Sequence, residues 1–69
     1  MQTNWFIVIR VGEAWWIDNE GKAFGPFPDR EDAGAEALEI ARVFGDTDRQ
    51  SRIYWPGDDG RHRLVWSGR

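Results

Sequence analysis

Cysteine is absent from this sequence, and histidine occurs once, at His62. Without thiols there is no disulfide framework, thiolate nucleophile, CxxC redox pair or cysteine-based zinc or iron–sulfur site. A lone imidazole excludes a histidine-rich metal site and any relay of two histidines. Lysine is nearly missing as well: eight of the nine basic residues are arginine, and the ninth is Lys22. Twelve acids leave a net charge of −3, unlike the strongly basic footprint of a general nucleic-acid binder. No apolar run approaches the ~20 residues needed to span a bilayer. The opening Met1-Gln2-Thr3-Asn4 lacks the basic region and long apolar stretch of a secretory signal, so a cytoplasmic location is expected.

What is present is aromatic. Five tryptophans, four phenylalanines and one tyrosine occur in 69 residues, and each such side chain buries roughly 150–250 Å². A chain of this length is a single domain, 1–69, with an ordered core expected over about residues 5–66. Small domains without disulfides or metal need dense large side chains or a partner subunit, so most of the aromatics are expected in the core.

Trp5 to Val11 is a β-branched and aromatic run that reads as a strand. Its alternation puts Trp5, Ile7, Ile9 and Val11 on one face and Phe6, Val8 and Arg10 on the other. Both faces are apolar, and Ile7 and Ile9 are the favoured core residues. Gly12-Glu13 connects to a returning strand, Ala14 to Asp18. Asn19-Glu20-Gly21-Lys22 is a turn with Gly21 suited to positive φ. Ala23 to Phe27 is a short extended piece in which Pro26, lacking an amide proton, allows an edge strand at best.

The clearest element is a helix over about Asp29 to Phe44. Asp29 is the N-cap, Asp32 completes an approximate capping box, and Glu31 adds to the acids favoured in a first turn. Ala33, Ala37, Ile40, Ala41 and Phe44 form the apolar stripe, widened by Leu38, and Gly45 suits the C′ position. After the polar stretch Asp46 to Gln50, Ser51–Trp55 and Arg61–Trp66 flank the turn cluster Pro56-Gly57-Asp58-Asp59-Gly60 as a second hairpin. Regular alternation places Ile53, Trp55, His62, Leu64 and Trp66 on the core side, and Arg52, Tyr54, Arg61, Arg63 and Val65 outside. The expected fold class is α+β: a small antiparallel sheet of two hairpins, with a possible short extra edge strand and one helix across one face, in the order β-β-(β)-α-β-β. The expected core is Trp15, Ile17, Phe27, Ala33, Ala37, Ile40, Ala41, Phe44, Ile53, Leu64 and Trp66.

A tryptophan-bearing hairpin with Trp16-Ile17-Asp18, the segment Phe27-Pro28-Asp29-Arg30-Glu31-Asp32-Ala33, an alanine-spaced helix and a turn at Asp59-Gly60-Arg61 resemble a family of small bacterial and phage β-β-α-β-β domains of unknown function. The resemblance covers Trp5 to Trp66. It implies a fold but no activity. The chain departs from the family pattern at Asp29, where threonine is common, at Arg30-Glu31, where Lys-Ala is common, and in its acidic balance.

No motif for catalysis emerges. Thr3, Thr47, Ser51, Ser67, Tyr54 and Lys22 are the hydroxyl and amine candidates, and none has a base and an orienting acid at a recognisable spacing. Asp58-Asp59, with Asp46 and Asp48, could offer oxygen ligands to a divalent cation, but the spacing is not that of a calcium loop and suits turn chemistry. No enzyme activity, cofactor, metal or small-molecule substrate is therefore expected.

Charge is unevenly spread, with residues 1–46 carrying a net −5 and residues 47–69 a net +2. Arg52, Arg61 and Arg63 beside Tyr54, with Trp5 or Trp16 as the exposed aromatic, form the expected interaction surface, since arginine and aromatics concentrate in interface hot spots. Three readings follow. The leading one is a non-enzymatic protein-interaction module, self-associating as a homodimer. The others are a single-stranded nucleic-acid binder using sheet aromatics and arginine, and a small acidic inhibitor, of phage or mobile-element type, directed at a host protein. Adjacent Trp15 and Trp16 must point oppositely in a regular strand, so at least one tryptophan leaves the helix-covered core.

Overall fold

A computed structural model describes residues 3–44 and 50–68. The elements run β1 (Thr3–Val11), β2 (Ala14–Asn19), β3 (Lys22–Phe27), α1 (Arg30–Phe44), β4 (Gln50–Pro56) and β5 (His62–Gly68). The α+β class and, among the described residues, the single helix agree with the sequence. The sheet, however, is mixed. Its order is β3-β2-β1-β4-β5, and β1 runs parallel to β4 with Thr3–Ile7 beside Gln50–Tyr54. A purely antiparallel sheet is thus corrected: two antiparallel units, β1-β2-β3 and β4-β5, join side by side in parallel. The physical reason is connectivity. A helix between two strands of one sheet carries the chain back to its starting end, so β4 enters in the direction of β1.

The β2–β3 turn uses Glu20 at φ 53° and Gly21 at φ 89°, the two consecutive positive values of a hairpin-matched turn. Pro26 sits on β3, which is an edge strand, where a missing amide proton costs no ladder bond. Asp29 caps α1 as expected: its Oδ1 accepts from the Asp32 amide at 2.7 Å. Asp29→Ala removes that acceptor and is expected to cost about 1 kcal/mol. Asp29→Asn keeps the acceptor and should recover most of it; urea melts of the three proteins measure the difference.

Ala33, Ala37 and Ala41 are fully buried on one stripe of α1, with Ile40 beside them. Small side chains at i, i+4 and i+8 let the helix lie close on the sheet, over Phe6, Val8, Ile17 and Ile53. Trp15, Phe24, Phe27, Leu38, Trp55 and Trp66 pack around this centre, each only partly buried. The centre is therefore mostly aliphatic, and the aromatics form its rim. On β1 the core face is that of Phe6 and Val8, at 1% and 0% exposure. The preference for Ile7 and Ile9 is corrected, since both are half-buried on the opposite face. Phe6 pairs with Ile53 and Val8 with Ile17, so β1's choice of face is imposed by its two neighbours.

Leu64 is the other correction. It is 50% exposed, because the β4–β5 register shifts between Ile53 and Tyr54: Ile53 faces Trp66, whereas Tyr54 faces Leu64. The extra residue on β5 is Val65. Such a bulge reverses alternation beyond it, sending His62 and Leu64 outside with Tyr54 and bringing Arg63 to the helix side opposite Trp55. The Phe44 side chain and Gly45, expected in the core and at the helix end, lie outside the described residues, as do Asp46 to Arg49.

Candidate functional site

The face of the sheet turned away from α1 has no second layer among the described residues. Along its middle run Trp5, Ile7, Ile9 and Val11 of β1. Trp16 of β2 pairs with Ile9, and Tyr54 of β4 pairs with Ile7. Leu64 of β5 lies beside Tyr54. Trp5 is 41% exposed. Its ring stacks on Tyr54, centroids 5.4 Å apart and planes 15° from parallel, and the Arg52 guanidinium carbon lies 5.6 Å from the Trp5 centroid. Local sequence explains the cluster: Trp5 and Arg52 are register partners, and Tyr54 is two residues along on the same face. Arg52 Nε is enclosed and has no hydrogen-bond partner.

Trp16 seats its ring on the backbone of Gly25, where a Cβ would fall 2.9 Å from Trp16 Cε3. Asp18, the register partner of Ile7, is the acid on this face and stands on the β2 side of β1. Arg52 stands on the β4 side. His62 also belongs here. Its Nε2 lies 3.1 Å from the Val8 carbonyl, at the place where the β1–β4 ladder has ended and β4 carries Pro56, which offers no amide proton. The imidazole thus serves a backbone acceptor in the middle of the sheet.

Of the expected surface residues, Trp5, Arg52, Tyr54 and Trp16 are brought to one face. Arg63 is not. Its Nη2 donates to Asp59 Oδ2 at 2.9 Å, and it lies on the helix side for the reason given above. Arg61 precedes β5 as an exposed loop residue. Asp59 also accepts from the Arg61 amide at 3.1 Å, so this aspartate organises the turn. Among the described residues no group of three or more His, Cys, Asp or Glu side chains could hold a metal ion. No helix among them is long and apolar enough to cross a membrane.

A second surface was missed by sequence reasoning. On the helix side, Gly34, Ala35 and Leu38 face Val65 and Trp66 across a shallow apolar groove floored by Trp55. The Trp55 ring lies on Gly34, where a Cβ would sit 2.9 Å from Cζ3. It also meets the Arg30 guanidinium carbon, 4.6 Å from its centroid. Arg30 Nη1 also donates to the Pro56 carbonyl at 2.9 Å, tying the start of α1 to the end of β4. The signal available was Gly34 itself: a glycine inside a capped helix costs about 1 kcal/mol relative to alanine and so points to a packing reason.

Set against known proteins, the chain gives no significant match to any family model, curated protein or solved structure.

Proposed function

We propose that this chain is a non-enzymatic interaction module that associates with a second copy of itself through the outer face of its sheet. The observation that carries the reading is the uncovered apolar stripe of β1, with Trp5 stacked on Tyr54 and flanked by Trp16 and Leu64. An apolar sheet face normally lies against a second layer, and a contiguous exposed patch of this kind marks an interface. Five strands of nine, six, six, seven and seven residues, about 4.8 Å apart, make a face of roughly 550 Å². That is close to the ~600 Å² per partner at the lower end of specific interfaces. The likeness to small β-β-α-β-β domains of unknown function is compatible with this reading and supplies no activity of its own.

Sedimentation velocity from low micromolar to several hundred micromolar tests it. A monomer–dimer transition is expected, and Trp5→Ser should weaken it by about 2 kcal/mol, the size of an interface hot spot, with the far-UV circular dichroism unchanged. A strict monomer across that range overturns the proposal. The Trp5–Tyr54 stack beside Arg52 also favours a second reading, a stacking platform for single-stranded nucleic acid. With Arg63 on the other face that platform has less positive charge than the sequence alone implied. A mixed-sequence oligonucleotide added at low salt separates the two readings.

A further inference from the structure

Resting on that self-association, we propose that the two copies pack face to face about a two-fold axis running along β1, so that Asp18 of each subunit meets Arg52 of the other. The chemistry is set by which side of β1 each charge occupies. Asp18 is on β2, beside Ile7, and Arg52 is on β4, beside Trp5. Two sheets can stack with their strands aligned about an in-plane two-fold axis in two ways. An axis across the strands lays β2 on β2 and β4 on β4, bringing carboxylate toward carboxylate and guanidinium toward guanidinium. An axis along β1 lays the β2 side of one copy on the β4 side of the other.

The second arrangement puts Asp18 over the partner's Tyr54 and one two-residue step, about 7 Å, from the partner's Arg52, within reach of an arginine side chain. It also places Ile7 on the partner's Ile7 along the seam. Arg52 is suited to receive a carboxylate. Its guanidinium lies beside the Trp5 ring, with Cζ 5.6 Å from the centroid, and has no acidic partner among the described residues of its own subunit. Nε is enclosed, so the terminal amines are the groups that would meet the partner's carboxylate. Like charges brought together at an interface are strongly disfavoured, so the charge pattern selects the axis along β1.

Charge reversal tests the axis independently of the association. Asp18→Arg and Arg52→Asp alone each replace two attractive contacts by two repulsive ones, and each is expected to weaken the dimer on the order of tenfold or more, as for close interfacial charge pairs. The double variant Asp18→Arg/Arg52→Asp exchanges the charges and should return the affinity to within a few-fold of the parent. Circular dichroism checks that all three remain folded. Weakened single variants with recovery in the double variant support the axis. A dimer in which the single reversals change nothing, or in which the two losses simply add in the double variant, overturns the axis and leaves the self-association standing. A parent protein that never dimerises overturns both.

Discussion

Phe6→Ala is expected to leave the domain largely unfolded near physiological temperature. Among the described residues Phe6 is the largest fully buried side chain, 1% exposed, and it sits on the central strand between Ile53 and the alanine stripe of α1. Truncating a buried phenylalanine costs about 3–5 kcal/mol, part lost transfer energy and part cavity. At ~0.05–0.15 kcal/mol per residue, a 69-residue domain has only about 3–10 kcal/mol in total. The alanines opposite are too small to swing into the void, so relaxation is limited and the cost should fall toward the upper end. Leu64→Ala supplies the contrast. Leu64 reads as core in the sequence and is half-exposed in the fold, so its truncation should change stability by no more than about 0.5 kcal/mol. Urea melts followed by far-UV circular dichroism rank the two, and a larger cost at Leu64 would overturn the register of β5.

Gly34→Leu is expected to have the next largest effect, a loss of about 2–3 kcal/mol. Leucine improves helix propensity by somewhat less than 1 kcal/mol. Its side chain, however, must enter the space held by Trp55, whose Cζ3 and Cε3 already lie 2.9 and 3.0 Å from where a Cβ would stand. Overpacking of this kind costs about 1–3 kcal/mol. Displacing the indole also removes the Arg30 stack, worth about 0.5–2 kcal/mol, and disturbs the Arg30–Pro56 hydrogen bond. With Gly34→Ala the two effects nearly cancel, and the change should stay within about 1 kcal/mol. A double-mutant cycle identifies the mechanism. In a Trp55→Ala background the penalty of Gly34→Leu should disappear, and a penalty that persists would place the clash elsewhere.

These residues also show what could be read before the fold was known. The helix was legible because its determinants are local: Asp29 as a cap, alanines at one spacing, acids in the first turn. The edge position of β3 was legible because Pro26 forbids a central one. By contrast, β1 is apolar on both faces, and its choice between Phe6 and Ile7 depends on Ile17 in the next strand and on Ile53, which lies far along the chain. The β4–β5 hairpin was recognisable, but its bulge was not. Ile53, Trp66 and Leu64 fit a regular ladder equally well in sequence, and one extra residue reverses the face of everything beyond it. That single irregularity divides the expected arginine cluster, leaving Arg52 beside Trp5 and sending Arg63 to Asp59. The candidate surface was therefore half legible, through its aromatics and Arg52. The separation of Trp15 from Trp16 across the sheet followed from alternation alone.

The central, parallel place of β1 has a consequence for synthesis. Its first neighbour, β2, follows it at once, whereas its second, β4, begins about forty residues later. At roughly 5–20 residues per second, one edge of Trp5–Val11 stays unpaired for several seconds. This stretch combines high β-propensity, no proline and one charge, Arg10, the pattern of a self-adhesive segment. A self-adhesive segment thus waits several seconds for its second partner, so the yield of folded protein should depend more on how fast α1 and β4 arrive than on the stability they finally confer.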